Sequence, residues 1–301
     1  KRDLVFAAVP DEEAGSVWGM EWLVKNRPDL VDVEFELSEG GTGTSRFAGQ
    51  DAQFFSVATN EKDMCWLKLE SVGTPGHGSR PHKDNSAVTL IKALNKLADW
   101  ERPVTFTPET RHYIERLQVE GLLPPRADDA ALEKIITRAP HMHAMFINTL
   151  NVTMISSGIK ANVIPAKSEA TIDCRLLPGQ TREDWIAQVE AIIDDARISV
   201  SPSGWDQGQP VAVDWDTELY RTIESVVTEA MEEAVVVPST CVGGTDNRFL
   251  RQQGIPAYGF VPCLLSPEET LGFHGNDEHL TIDNLNMGCE LMFEIVYRMC
   301  A

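Results

Sequence analysis

Three carboxylates follow one another directly behind an apolar run near the start of the chain. The run is LVFAAV, and the acidic residues are Asp11, Glu12 and Glu13 in the stretch PDEEAGS. Like charges this close together repel, and a bound dication would relieve the repulsion. Two consecutive glutamates in an extended segment point to opposite sides, so one can bind a metal while its neighbour faces a metal-bound water. On this pattern alone, a solvated loop or a helix start is the commoner alternative.

Two further groups of the same kind follow other apolar runs. Glu39 lies in SEGG after VEFEL, and His274 lies in HGNDEHL after AYGFVP. In open α/β sheets, sites form at the carboxyl ends of strands, so these side chains are expected to meet Glu12 and Glu13. Carboxylates together with an imidazole suit zinc or a similar divalent metal.

Other polar residues carry weaker signals. His141 and His143 are separated by one residue and could form a metal pair, although surface histidines are the commoner alternative. His82 and His279 flank motifs and are interpreted as bystanders. Asp246 opens a short helix, so an N-cap role is at least as plausible as a catalytic one.

The elements that must position these residues alternate as in an α/β domain. LVFAAV reads as a strand that is covered on both faces of a parallel sheet, residues 15–26 as a helix and VEFEL as a second strand. The same rhythm returns from Asp214 with a helix at 217–233, the strands VVVP and AYGFVP, and a C-terminal helix at about 282–299 that Thr281 caps.

The pattern of polar and apolar residues changes in the middle of the chain, which predicts an inserted second domain. Alternating strands and amphipathic helices follow in β-α-β-β-α-β order, the order of an open-faced α+β sandwich. The predicted segments are strands at 65–73, 149–158, 161–176 and 198–201, and helices at 85–100 and 183–196. Residues 58–206 would form this domain, and residues 1–57 and 207–301 the first one. Within the insertion, 101–140 reads as an exposed helical stretch, and residues 201–210, across its C-terminal boundary, read as a linker.

The composition and charge of the chain limit the classes of protein to which it can belong. The 301 residues are 43% hydrophobic and 24% charged, with 46 acidic against 26 basic residues and a net charge of −20. Such a surface repels phosphate backbones, which argues against nucleic acid as a partner. No apolar run reaches the roughly 20 residues of a membrane span. Six cysteines without a CxxC pattern predict reduced thiols in a cytoplasmic protein, although a preceding segment could carry a signal.

Six motifs occur in an order that resembles one family. They are PDEEAGS, SEGG, GTPGHGSRPH, GIKANVIP followed by TIDCRLLPG, GGTDNR and HGNDEHL. They look like the dinuclear-zinc metallopeptidase family that includes aminoacylase, bacterial glutamate carboxypeptidase, acetylornithine deacetylase and carboxypeptidase S. The resemblance covers nearly the whole chain. It implies a zinc-binding α/β domain, with a mixed sheet flanked by helices, that carries an inserted sandwich used as a lid and dimerisation domain.

The resemblance also implies roles for the residues at the metal. Glu12 would be the general base for a metal-bound water. Glu13 and His274 would bind one zinc ion, and Glu39 would bind the other. Two zinc ions are implied for the full-length protein, with cobalt or manganese as possible substitutes.

The resemblance further implies that four more residues interact with the substrate or with the oxyanion that forms from it. His77, in the lid, would stabilise the oxyanion in the partner subunit's site of a homodimer. Arg248 and Asn162 would hold the substrate, the arginine by its carboxylate, and Arg175 is a weaker candidate of the same kind. The alternatives are a turn residue for Asn162 and a structural ion pair for Arg175.

One part of the family pattern lies outside this sequence. The family's other histidine ligand and its bridging aspartate lie in a His-x-Asp stretch and a later Asp, upstream of the DEE segment, and this sequence begins at Lys1 after both. We therefore expect the sequence to be the remainder of a longer protein.

Two hypotheses of function remain open at this stage. The first is a metal-dependent amidohydrolase that cleaves an amide next to a free carboxylate in a peptide or an N-acyl amino acid: a carboxypeptidase, dipeptidase or deacylase. The second is a non-catalytic dimeric relative that only binds ligands and has an incomplete metal site. The presence of Glu12 beside Glu13 favours the first, because a binding protein needs no base.

Overall fold

A computed structural model describes residues 2–47, 49–204, 211 and 213–301, without the side chains of residues 140 and 141. The helices are α1 (Met20–Asn26), α2 (Ser86–Ala98), α3 (Pro108–Val119), α4 (Asp129–Thr137), α5 (Pro140–Phe146), α6 (Arg182–Ile193), α7 (Glu218–Ala230), α8 (Asn247–Arg251), α9 (Pro267–Leu271) and α10 (Ile282–Cys300). The strands are β1 (Glu36–Phe47), β2 (Gln50–Glu61), β3 (Asp63–Met64), β4 (Leu67–Val72), β5 (Gly76–His77), β6 (Thr149–Ser157), β7 (Val163–Ile164), β8 (Lys167–Leu176), β9 (Ile198–Pro202), β10 (Ala234–Cys241) and β11 (Ala257–Leu265).

The chain forms two compact units. The first comprises residues 1–62, 106–146 and 210–301, and the second comprises residues 63–105 and 147–209. The domain boundary proposed at 206 and 207, and most of the proposed linker, lie outside the described residues.

A mixed sheet in the order β1-β11-β2-β10 forms the centre of the first unit. β11 runs parallel to β1, and β10 runs parallel to β2, whereas β1 and β2 form an antiparallel hairpin. α7 and α10 pack on this sheet by apolar residues such as Ile223, Val227 and Ile295, which contact Phe55 and Val236. The hydroxyl of Thr281 accepts a hydrogen bond from the Asn284 amide, which confirms the predicted cap of α10.

The second unit is the predicted open-faced sandwich. β4 pairs antiparallel with both β8 and β9, and β6 pairs with the other side of β8. α2 and α6 contribute Leu97, Trp185 and Val189 to a core with Leu69 and Ile172. The predicted fold class, a mixed α/β sheet with an inserted sandwich, is confirmed.

Three predictions of local structure are wrong. LVFAAV forms no strand, because no strand in the described part of the chain lies alongside it, and Phe6 is 89% exposed. The second strand begins at Glu36, runs through SEGG and continues to Phe47. The stretch at 101–140 is not merely exposed, because α3 and α4 bury Tyr113, Leu117 and Ile136.

Candidate active site

A tight loop presents the two consecutive glutamates. Glu12–Ala14 form one turn of 3-10 helix, so the expectation of an extended segment is wrong. Asp11 and Ser16 have left-handed backbones, with φ of 76° and 62°, and the Ser16 amide donates to the Asp11 carbonyl at 2.7 Å. A Cβ on Gly19 would lie 2.0 Å from the Pro10 carbonyl oxygen, so only glycine closes this loop.

A buried hydrogen bond ties this loop to the turn that carries GGTDNR. The Ser16 hydroxyl donates to Asp246 Oδ1, and both side chains are buried. Asp246 stands at the N-cap position of α8, but its side chain makes no capping hydrogen bond. Its carboxylate therefore connects two loops of the site and does not cap the helix.

The candidate residues of the first unit interact electrostatically. Burial raises the pKa of Glu12 to about 7, and the charges of Glu39, Asp246 and Glu13 add to the shift, opposed by Arg248. Desolvation likewise raises the pKa of Glu39, and Asp246 and Glu13 again add to it. The structure thus brings these carboxylates together, and their mutual repulsion is what a cation would relieve.

His274 joins the same group from a turn beyond α9. Its backbone is left-handed, with φ of 56°, and its charge lowers the pKa of Glu39. α9 separates it from the end of β11, so it does not directly follow the strand. Glu39 lies inside β1, where the register with β11 shifts between Ser38 and Thr42.

The donor types in this group suit a divalent metal, but the geometry is incomplete. Carboxylate oxygens and an imidazole nitrogen are common ligands of zinc. Within the described ranges, however, no three His, Cys, Asp or Glu side chains stand close enough together to hold a metal ion. The possible pair of His141 and His143 stays untested, because the side chain of His141 lies outside the described part of the chain.

Arg248 is a buried cation with open hydrogen-bonding capacity. Its side chain lies over the Phe249 ring at 4.7 Å, and the residue is 6% exposed. Its Nε atom is buried and has no hydrogen-bond partner among the residues that the structure describes. Burial lowers its pKa, and the nearby charges of Glu61, Asp246 and Glu12 oppose that effect. A buried guanidinium with an unpaired donor fits an anionic ligand.

The second unit brings His77 and Asn162 together. β5 and β7 pair His77 with Val163, and the Gly78 amide donates to the Asn162 carbonyl at 2.8 Å. His77 Nδ1 lies 2.8 Å from the Ser79 hydroxyl and accepts from the Ser79 amide at 3.2 Å, and this acceptor role corresponds to the neutral ring with its proton on Nε2. His77 is exposed and can donate a hydrogen bond from Nε2, while Asn162 occupies a turn.

Arg175 is already paired. Its Nε and Nη2 atoms donate to the Asp173 carboxylate at 2.7 and 3.0 Å. This fork-to-fork geometry favours the structural ion pair, and a substrate-binding role for Arg175 stays a prediction.

Sequence reasoning missed Ser16 and Asn247. Asn247 Nδ2 donates to the Glu39 carbonyl at 2.9 Å, and Ser16 fixes the glutamate loop. Both lie within the quoted motifs, Asn247 directly beside Arg248 and Ser16 three residues after Glu13. A small polar residue within a motif that contains acidic residues was the sequence signal that could have identified them.

The fold, an α/β domain with an inserted sandwich, can be compared with that of known proteins. Residues 59–199 match the family described as a peptidase dimerisation domain. The chain is 27% identical to a probable carboxypeptidase S-like protein of Dictyostelium discoideum, 26% to the human N-fatty-acyl-amino acid synthase/hydrolase PM20D1 and 28% to pig aminoacylase-1. These matches cover 98%, 98% and 93% of this chain and 59%, 61% and 60% of those proteins. The chain thus spans about three fifths of the length of these relatives.

Solved structures agree on the fold. An M20 family metallo-carboxypeptidase from Sulfolobus solfataricus matches 95% of this chain and 68% of its own, with a TM-score of 0.65 at 17% identity. Human carnosine dipeptidase 1 matches 96% and 65%, with a TM-score of 0.62 at 15% identity. These relatives confirm the resemblance to the aminoacylase and carboxypeptidase S family. No helix in the described ranges is both long and apolar enough to cross a membrane.

Proposed function

We propose that the protein hydrolyses an amide bond next to a free carboxylate, in a peptide or an N-acyl amino acid. The observation that carries the proposal is the buried guanidinium of Arg248, whose Nε atom lacks a partner in the described part of the chain, beside a cluster of carboxylates. A planar guanidinium matches a carboxylate by two parallel hydrogen bonds, which a lysine cannot reproduce. The printed names of the relatives, a carboxypeptidase S-like protein and an aminoacylase, agree with this substrate class.

Glu13 and His274 would contribute ligands to one divalent cation and Glu39 to a second, for which zinc is the first candidate and cobalt or manganese are substitutes. When bound, such an ion supplies Lewis-acid chemistry and lowers the pKa of a coordinated water. The repulsion among Glu12, Glu13 and Glu39 supports this assignment.

Glu12 would accept the proton of the attacking water and pass it to the leaving amine. A base is most effective when its pKa lies near the working pH, and burial raises the pKa of Glu12 to about 7. His77 would donate a hydrogen bond from Nε2 to the developing oxyanion, in the site of a second subunit. The dimerisation-domain match at residues 59–199 supports a homodimer.

The carboxylate contact is tested with pairs of substrates. An N-acyl amino acid and its C-terminal amide differ only in the group that would contact Arg248. We expect the full-length protein to hydrolyse the acid and to leave the amide nearly untouched. Arg248→Lys should raise KM for the acid strongly, and equal rates for acid and amide would refute the proposal.

A non-catalytic relative is the second candidate function. The absence of three grouped ligands within the described residues favours it. Metal analysis of the purified full-length protein separates the two: close to two zinc ions per subunit supports the hydrolase, and a metal-free protein that still binds N-acyl amino acids supports the binding protein.

A further inference from the structure

A buried ion pair lies under the site in the first unit. Arg251 Nη1 contacts Glu61 Oε2 at 3.0 Å, and the two side chains are 1% and 2% exposed. Arg251 also donates from Nε to the Ala257 carbonyl at 2.8 Å and from Nη2 to the Ala58 carbonyl at 3.0 Å. The guanidinium therefore fastens α8 to β2 and β11.

A chain of hydrogen bonds leads from this ion pair to Glu39. The Thr245 hydroxyl donates to Glu61 Oε2 at 2.8 Å. Asn247 Nδ2 donates to Thr245 Oγ1 at 3.0 Å and to the Glu39 carbonyl at 2.9 Å. The Thr245 methyl also lies 3.4 Å from the position that a Cβ on Gly40 would occupy. The backbone carbonyl of Glu39 is thus hydrogen-bonded to a network whose side chains are all almost fully buried.

The energetics of buried ion pairs suggest why such a network is present. Removing two charges from water costs several kcal/mol per ion, so an apolar pair of similar volume often stabilises a protein equally well. In some proteins a buried ion pair with fixed hydrogen bonds specifies one geometry, and buried polar groups that orient metal ligands are common. Glu61 is also the carboxylate whose charge acts most strongly on Arg248.

We propose that Glu61, Thr245 and Asn247 are positioning residues that fix the backbone of Glu39, and through it the proposed metal site, without touching substrate. The metal part of this inference rests on the proposed function, whereas the fixing of Glu39 does not.

The test replaces the central hydroxyl. Thr245→Val removes the donor to Glu61 and keeps the methyl group near Gly40. Thr59→Val is the matched control, because Thr59 is a fully buried threonine on β2 whose hydroxyl donates to the Ser239 carbonyl at 3.5 Å, outside the network. Thr245→Ser keeps the hydroxyl and removes only the methyl group, so it should not show the defect of Thr245→Val. Asn247→Ala cuts the last link to Glu39 and leaves the ion pair in place, so it serves if Thr245→Val does not fold.

Two measurements on the full-length protein follow. Hydrogen exchange of the peptide containing Glu39, in metal-free protein, reports on the backbone itself. Competition with a chromophoric chelator gives the zinc affinity. We expect Thr245→Val and Asn247→Ala to speed exchange at Glu39 and to weaken zinc binding by about 10- to 100-fold, while Thr59→Val and Thr245→Ser stay near wild type in both.

The outcomes distinguish a failure of the positioning role from a failure of the proposed function. Unchanged exchange and zinc affinity in Thr245→Val and Asn247→Ala overturn the positioning role, and so does an equal effect in Thr59→Val, which would indicate general loosening of the sheet. Faster exchange at Glu39 in a protein whose wild type neither binds zinc nor hydrolyses amides supports the positioning role and refutes the proposed function alone.

Discussion

The hydrogen bond between Ser16 and Asp246 allows a quantitative prediction. Ser16→Ala leaves the buried carboxylate of Asp246 without this donor, and a hydrogen bond to a charged group contributes about 1.5–3 kcal/mol to the free energy of unfolding. Ser16 also has a left-handed backbone, which costs a non-glycine residue about 1–2 kcal/mol. Ser16→Gly loses the hydrogen bond but relieves the strain, so it should be less destabilising than Ser16→Ala by about 1 kcal/mol.

Urea unfolding followed by tryptophan fluorescence measures both variants. Ser71→Ala is the control, because Ser71 is fully buried and its hydroxyl has no hydrogen-bond partner among the described residues. Removing an unpaired buried hydroxyl is nearly neutral or stabilising. Wild-type stability in Ser16→Ala would refute the importance of the hydrogen bond, and equal losses in the alanine and glycine variants would refute the argument from strain.

Three other predictions concern the reaction and the pH dependence of stability. Glu12→Gln should keep its zinc and lose about 10²- to 10⁴-fold in kcat, whereas Glu13→Gln should lose zinc; equal kcat at equal metal content would remove Glu12 from the mechanism. Mixing inactive His77→Ala and Glu12→Gln subunits should restore part of the activity, and no recovery after verified subunit exchange would show that His77 does not act across the dimer. Burial raises the pKa of Glu36 to about 8, so its contribution to stability is complete below its unfolded pKa and is lost as pH rises through 8. Denaturation midpoints from pH 5 to 9 should therefore fall less steeply for Glu36→Gln, and parallel curves would contradict this.

Elements with a regular local pattern were predictable from the sequence. The strands and helices of the second unit alternate polar and apolar residues with the period of their own structure, so their order and bounds follow within a few residues. The hairpin of β1 and β2 was not predictable, because glycine, serine and threonine dominate its first strand and carry little apolar signal. LVFAAV carries a strong apolar signal, yet a strand requires neighbours that its own sequence does not specify.

The residues of the candidate site were likewise only partly predictable from the sequence. Glu12, Glu13, Glu39, Arg248 and His274 stand in motifs, and the structure brings them within electrostatic range of one another. The buried support beneath them was not visible, because single polar residues in apolar strands give no periodic signal and acquire meaning only from their contacts.

The two units can begin to fold at different times during synthesis on the ribosome. Residues 63–105 and 147–209 leave the ribosome as a complete unit before β10 or β11 exists. β2 must wait for its parallel partner, since Gln53 pairs with Ala234, 181 residues later. At about 5–20 residues per second, roughly 10–35 s pass before that pairing can begin. Until then Phe54 and Phe55 lack the strand that pairs with them in the folded unit, so we expect nascent chains to depend on chaperones through the first unit, while the second unit can fold early.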